Sequence, residues 1–87
     1  MQLRVRTIGP GLYSDEVLIA VRTPDGDAEV LLDTESVNGD CIEVGTPVGR
    51  MNGHLLVELP RETTRGEWRV WVDKADLETP GREPAHA

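Results

Sequence analysis

Apolar and polar residues alternate along most of this chain, which is the period of a half-buried β-strand and not of an α-helix. Leu3 and Val5 alternate with charged or amide side chains near the N-terminus, and residues 54–59 repeat the pattern. Residues 17–21 differ because all five are apolar, which is typical of a central strand covered on both faces. The pattern therefore predicts an all-β chain with one central apolar strand.

Dipeptides that favour tight turns separate these strands. Asp25-Gly26 and Asn52-Gly53 are typical of two-residue β-hairpin loops, because Gly accepts the positive φ that a type I′ turn requires. Asn38-Gly39 is a further turn signal, and Gly9-Pro10-Gly11 predicts a loop that ends the first strand. Placing the two hairpin dipeptides in the loops predicts these cross-strand pairs: Val21 with Val30, Ile19 with Leu32, Gly49 with Leu56, and Val48 with Val57.

The most regular amphipathic strand is residues 67–72, which contains both tryptophans. Side chains three residues apart on a strand point to opposite faces, so the pattern predicts Trp68 on the core side and Trp71 on the other. Asp73 follows this strand, where its carboxylate is placed to cap a single helical turn that reaches Leu77. A late strand followed by one helical turn resembles the arrangement near the end of SH3-like barrels.

Five to seven short strands in roughly eighty residues predict a small antiparallel barrel, SH3-like, or a compact sandwich. At most one short helical turn is expected, near the C-terminus. Residues 1–78 are predicted to form a single β domain. Residues 79–87 offer no apolar side chain to bury except two alanines, so we expect a mobile C-terminal tail.

The net charge of −7 is distributed unevenly along the chain. Residues 15–43 contain nine carboxylates and one Arg, whereas residues 50–74 contain five basic and four acidic side chains. A chain this acidic repels phosphate polyanions at long range, which argues against nucleic acid as a direct partner. If the two regions form opposed faces, the arginine-bearing side suits an acidic patch on a partner protein.

Membrane association is also not expected. No segment approaches the roughly 20 consecutive apolar residues that a membrane-spanning helix needs. The first six residues alternate in charge and lack the apolar stretch of a signal peptide, and the one cysteine, Cys41, cannot form an internal disulfide. These features favour a cytoplasmic location.

Few residues offer catalytic or metal-binding chemistry. A dyad of Cys41 and His54 is disfavoured, because the neighbouring Glu43 opposes formation of the thiolate. One Cys and two distant His cannot supply a closed zinc site. The acidic segment that starts at Asp25 has Ser36 at the twelfth position, where a calcium loop requires Glu. We therefore expect no enzymatic activity, no cofactor and no metal.

Apolar side chains also occupy the faces opposite the predicted core, where a fully solvated sheet carries polar residues. Trp71 is the most informative, because Trp and Arg are enriched at binding hot spots and Arg69 lies on the same face. The sequence thus predicts a non-catalytic domain that acts by protein–protein contact, with a partner protein or a second copy. The alternatives are a second core beneath loops and a small-molecule-binding or regulatory barrel. The candidate surface comprises Trp71, Arg69, Leu56, Met51, Leu31, Leu18 and Arg65.

Overall fold

The computed structural model describes residues 1–78, which form ten short β-strands and two single 3₁₀ turns. The strands are β1 (Gln2–Arg4), β2 (Arg6–Pro10), β3 (Glu16–Thr23), β4 (Gly26–Asp33), β5 (Val37–Asn38), β6 (Cys41–Glu43), β7 (Gly49–Met51), β8 (His54–Glu58), β9 (Arg69–Asp73) and β10 (Leu77–Glu78). The 3₁₀ turns are Thr34–Ser36 and Lys74–Asp76. The all-β prediction is confirmed, but the described residues form ten strands where five to seven were predicted, and Thr34–Ser36 is a second short turn where at most one was expected. Within residues 1–78, no helix has the length and apolar character needed to cross a membrane.

The strands form three small antiparallel sheets. Sheet 1 has the order β10-β1-β6-β5, sheet 2 the order β2-β3-β4, and sheet 3 the order β7-β8-β9. Strand β3 is the centre of sheet 2, as its uninterrupted apolar sequence predicts. Strand pairing among residues 1–78 does not close the three sheets into a ring, so closure of a barrel is not found there.

The three sheets share one hydrophobic core built from their inward-facing residues. The period-two pattern places these side chains on one face of each sheet, and burying them together removes most of the aliphatic surface from water. Aliphatic residues make up this core because the chain contains no Phe. The core residues are Leu3, Val5, Ile19, Val21, Val30, Leu32, Ile42, Val44, Val57, Leu59, Val70 and Val72.

The first hairpin forms with a different register from the one predicted. The two loop residues are Pro24 and Asp25, because Thr23 pairs with Gly26. Pro favours the first central position of a turn, and the Thr23 hydroxyl accepts a hydrogen bond from the Asp25 N–H at 3.2 Å. Val21 consequently faces Ala28 and not Val30. Each β3 residue thus pairs with the β4 residue two positions before the predicted one. A shift of two residues leaves the side chains of both strands on their predicted faces.

The second hairpin has the predicted register next to its turn. Gly49 lies opposite Leu56, and Met51 lies opposite His54. Asn52 and Gly53 have φ of 50° and 82°, the positive values that both central residues of a type I′ turn require. The predicted pair of Val48 with Val57 is not among the pairs of β7 with β8, because the Val48 N–H donates instead to the Leu56 carbonyl at 2.8 Å. The local turn chemistry therefore determined this register.

The predicted N-terminal strand is two strands, β1 in sheet 1 and β2 in sheet 2, and the second of them runs through the predicted glycine-proline loop. Strand β2 continues through Gly9 and Pro10, and Pro10 lies opposite Val17. The register shifts between Thr7 and Gly9, so a bulge at Ile8 absorbs the irregular segment. Pro is compatible with this position because β2 is an edge strand of sheet 2.

The prediction that Trp68 belongs to the core is wrong. Strand β9 begins only at Arg69, and the backbone bends at Trp68, which leaves that side chain 54% exposed. The alternation resumes after the bend, so Val70 and Val72 are buried as predicted. Asp73 caps the following 3₁₀ turn as expected, since its carboxylate accepts from the Ala75 N–H at 2.9 Å. The predicted tail, residues 79–87, lies outside the described residues.

Candidate functional site

A cleft of about 330 Å³ lies between the tip of the β3–β4 hairpin and strand β9. It brings together parts of sheet 2 and sheet 3 that are distant in the sequence. Its lining consists of residues 23–29 of the hairpin, residues 63–65 and 67 of the β8–β9 connection, and residues 69–71 of β9. The volume lies within the range of about 300–1,000 Å³ that is usual for ligand pockets.

The connection between β8 and β9 ends in a tight turn around Thr63. Its hydroxyl is buried and accepts hydrogen bonds from the N–H groups of Arg65 at 3.2 Å and Glu67 at 3.1 Å. The Thr63 backbone N–H donates to the Glu67 carbonyl at 2.8 Å, and Gly66 has a φ of 86°. Gly in this left-handed position is typical of a three-residue hairpin loop. The turn therefore has a defined shape although it contains no core side chain.

This turn joins sheet 3 to sheet 2 at one end of the cleft. The Thr64 N–H donates to the Glu29 carbonyl at 2.8 Å, and Thr63 forms an antiparallel bridge with Val30 of β4. A single backbone attachment holds the two sheets at this point. The rest of the cleft lies along the hairpin, from Glu29 toward its tip.

Trp71 forms part of the wall on the β9 side. It lies opposite Leu56, which in turn lies opposite Gly49, so the three residues form one row across the outer face of sheet 3. Trp71 is half-buried, in contrast to the exposed Trp68. The predicted core position of Trp68 is therefore wrong, whereas Trp71 lies on the outer face of sheet 3, away from the main core, as predicted.

Of the seven predicted surface residues, the structure brings three into the cleft: Trp71, Arg69 and Arg65. Leu56 is adjacent to Trp71 but does not line the cleft. Met51 is exposed beside the β7–β8 turn. Leu18 and Leu31 are a half-buried cross-strand pair on sheet 2, away from the cleft.

Sequence reasoning missed the other wall of the cleft. Residues 23–29 carry a recognisable hairpin signal, but nothing in that signal says which element the hairpin tip faces. The attachment of Thr64 to Glu29 links residues separated by more than thirty positions. Only the bend of the β8–β9 connection decides this contact, and no local pattern encodes its direction.

The charged regions are adjacent and not on opposed faces. Arg65 and Arg69 line the same cleft as Asp25, Glu29 and Glu67. Arg69 pairs with Glu58 at 2.8 Å, and Arg61 pairs with Glu16 of sheet 2 at 3.4 Å. The expectation of a separate arginine-bearing face is therefore wrong, because the folding of the hairpin places acidic residues beside these arginines.

A second, shallower groove on sheet 2 is occupied by ion pairs. One guanidinium nitrogen of the exposed Arg22 donates to both carboxylate oxygens of Asp76, at 3.3 Å each. The Asp76 side chain is only 11% exposed, so this pair offsets part of the cost of burying its charge. Arg6 pairs with Asp27 at 2.8 Å in the same groove. The groove thus has a structural explanation.

The residues considered for catalysis do not come together. Cys41 lies in sheet 1 opposite Arg4, whereas His54 lies in sheet 3 opposite Asp73. Burial raises the pKa of the Cys41 thiol, and its hydrogen bond to Asp40 and the charges of Asp40 and Glu78 raise it further. A raised pKa disfavours the nucleophilic thiolate. Within residues 1–78, no group of three or more His, Cys, Asp or Glu side chains is arranged to hold a metal ion.

Comparisons with known proteins find no match for this chain among protein-family models, curated proteins or solved structures. The interpretation of the cleft therefore depends on its own residues and geometry.

Proposed function

We propose that this chain is a non-catalytic interaction domain, an accessory or adaptor module, that binds a partner protein through the cleft at Trp71. The observation that supports this is the convergence of Trp71, Arg69 and Arg65 on one cleft whose opposite wall comes from another sheet. Tryptophan and arginine are enriched among the few residues that dominate the binding energy of protein interfaces, and such residues lie in pockets that a partner fills. A half-buried Trp beside an open cleft has this arrangement.

The proposal includes the nature of the partner, the fold subtype and the compartment. A protein is preferred to nucleic acid, because a net charge of −7 opposes the approach of a polyanion. Three sheets around one core are compatible with an open relative of the SH3-like barrel. We place the domain in the cytoplasm, where a single cysteine without an internal disulfide partner is ordinary.

The volume of the cleft supports a second candidate, a small-molecule-binding or regulatory domain. A space of about 330 Å³ is large enough for a metabolite-sized ligand. However, its walls carry four carboxylates and two guanidinium groups and expose more polar than apolar surface. Pockets for small molecules are usually lined mainly by apolar side chains, so we prefer the protein partner.

A comparison of the proteins that three immobilised chains retain tests the proposal. The chains are the wild type, Trp71→Ala and the matched control Trp68→Ala, which removes the same side chain from outside the cleft. A photoreactive residue in place of Ala28, which lines the cleft, should cross-link to the retained protein. We expect the wild type and Trp68→Ala to retain the same partner and Trp71→Ala to lose it.

The proposal would be contradicted if all three chains retained the same proteins equally, or if the retained protein did not cross-link to the photoreactive residue at position 28. Native mass spectrometry of the purified chain separates the second candidate. A bound small molecule that Trp71→Ala loses and Trp68→Ala keeps would favour ligand binding over protein binding.

A further inference from the structure

Two strand edges without a strand partner border the cleft. The first belongs to β4, which pairs with β3 and whose other edge, among residues 1–78, forms backbone pairing only with Thr63 and Thr64. In an antiparallel ladder, the N–H and C=O of one residue point to the same neighbour, and the direction alternates along the strand. Because the Glu29 carbonyl accepts from Thr64, the backbone groups of Glu29 and Asp27 point away from β3.

The second edge belongs to β9, which pairs only with β8 among the described strands. The Trp68 carbonyl accepts from the Leu59 N–H, so the same alternation directs the backbone of Val70 toward β8. The backbone groups of Arg69 and Trp71 consequently point to the outer edge of β9. Each edge therefore offers main-chain groups at two residues that line the cleft, except that the Glu29 carbonyl is already bound to the Thr64 N–H.

An extended segment placed along either edge would meet two different environments on its two faces. Its inward side chains would meet Ala28 and Val70, which pack in or against the hydrophobic core. Its outward side chains would lie near Asp27 and Glu29 on β4 or near Arg69 and Trp71 on β9. Side chains of a strand alternate between faces, so this arrangement selects an alternating sequence.

The charge of the cleft selects the sign of the outward residues. Among residues 1–78, the carboxylates of Asp25, Glu29 and Glu67 have no ion-pair partner, whereas Arg69 is paired with Glu58. Arg65 is the one cleft cation without such a pair among these residues. The Trp71 ring can in addition accept a cation over its face. The free charge is thus predominantly negative.

We propose that the cleft binds an extended segment of a partner protein as an added β-strand, in which small apolar residues alternate with Lys or Arg. This inference rests on the proposed function, since it specifies the partner at the same cleft. Main-chain hydrogen bonds to an exposed edge supply affinity in this mode of recognition, and alternate side chains supply specificity. The overall charge of −7 attracts a basic segment at long range.

Selection of displayed random peptides on the whole chain provides the probe. Peptides of about ten residues match the upper end of ordinary strand length. We expect peptides enriched on the wild type and on Trp68→Ala, and not on Trp71→Ala, to alternate small apolar residues with Lys or Arg. In the complex, amide exchange of Asp27 and Glu29, or of Arg69 and Trp71, should slow at least tenfold.

Two further variants test the charge and the strand pairing separately. The double variant Asp25→Asn/Glu29→Gln removes two exposed charges and should weaken binding of the selected peptide about three- to tenfold. The matched control Asp33→Asn/Glu35→Gln, outside the cleft, should change affinity by less than about twofold. Two peptides should be compared, one N-methylated at its odd-numbered residues and one at its even-numbered residues. Only one of the two sets of N–H groups donates to the strand edge, so one of the two peptides should lose binding and the other should keep it.

Three results would overturn this inference: enrichment of acidic or helix-forming peptides, full binding by both N-methylated peptides, and self-association through the cleft. So would the absence of any peptide that distinguishes the wild type from Trp71→Ala. A partner retained in the Trp71-dependent manner described above would leave the proposed function intact in each of these cases. If neither a selected peptide nor a retained partner protein depends on Trp71, the proposed function is overturned as well.

Discussion

The indole of Trp71 reaches across strand β8 to Gly49, where an added Cβ would lie 3.6 Å from the Cη2 atom of Trp71. Leu56 lies between them in the same cross-strand row. The Trp71 ring therefore lies along the outer face of sheet 3, directly over Leu56 and beside the backbone of Gly49. A residue of β7, which does not line the cleft, thus supports the orientation of the aromatic side chain that does.

Gly49→Ala should displace the Trp71 ring. The added Cβ would lie only 3.3 Å from the Leu56 Cβ, so Leu56 must move by a few tenths of an ångström, and we expect this movement to shift the adjacent Trp71 ring. We expect a destabilisation of about 1 kcal/mol and a shifted Trp71 emission maximum, measured in a Trp68→Phe background. Gly9→Ala is the control, because nothing lies within 4 Å of its added Cβ. An unchanged spectrum in Gly49→Ala would show that the ring is not held there.

Trp68→Ala should cost little stability despite the size of the side chain. Its exposed position predicts a loss below about 1 kcal/mol, whereas Ile19→Ala, in the centre of the core, should lose about 2–5 kcal/mol. Urea unfolding monitored by circular dichroism measures both values. A loss at Trp68 that equals the loss at Ile19 would mean that Trp68 is buried in solution.

Thr63→Val should loosen the attachment between sheet 2 and sheet 3. The substitution keeps the shape of the side chain but leaves the Arg65 and Glu67 N–H groups without their acceptor. We expect a destabilisation of about 1–3 kcal/mol. Amide exchange of Thr64, whose N–H donates to Glu29, should also become faster.

Thr64→Val is the matched control for this change, because the Thr64 side chain is exposed and makes no side-chain hydrogen bond within residues 1–78. It should leave stability within about 0.5 kcal/mol of the wild type. Equal losses in the two variants would contradict the role assigned to the Thr63 hydroxyl.

Alkylation of Cys41 should require a higher pH in the folded protein than in the urea-unfolded chain. Burial, the hydrogen bond to Asp40 and nearby carboxylates all raise the pKa of the folded thiol, with a smaller opposing effect of Arg4. The iodoacetamide rate as a function of pH measures this difference. Asp40→Asn should move the midpoint of the folded protein downward, while Asp33→Asn, a carboxylate away from Cys41, should not.

The same shift defines a pH dependence of stability. A thiol whose pKa is higher in the folded than in the unfolded state holds its proton more tightly when folded. Its contribution to stability is therefore complete below the unfolded pKa and is lost as the pH rises through the folded pKa. Unfolding free energies of Cys41→Ser should lack this decrease at alkaline pH, and an identical decrease in the variant would assign it to other groups.

The sequence alone determined the all-β class, the alternation that defines most of the inward faces, and the turn of the second hairpin. These features depend on interactions between near neighbours: alternation fixes which side chains share a face, and Asn52-Gly53 supplies the positive φ values of one turn type. The first hairpin shows where this reasoning stops, because Pro24 competes with Gly26 for the turn and moves the register by two residues. The faces survived because an even shift preserves alternation.

Only the tertiary structure decided the cleft. Its walls meet because the β8–β9 connection bends and Thr64 bonds to Glu29, and the direction of such a bend depends on contacts with a distant strand. The same bend exposes Trp68 and leaves Trp71 at the cleft. The strand pattern alone predicts instead that Trp68 is buried. The Arg22–Asp76 pair likewise joins residues 54 positions apart. Local periodicity carries no information about such contacts, because they form only when the separate sheets pack on their shared core.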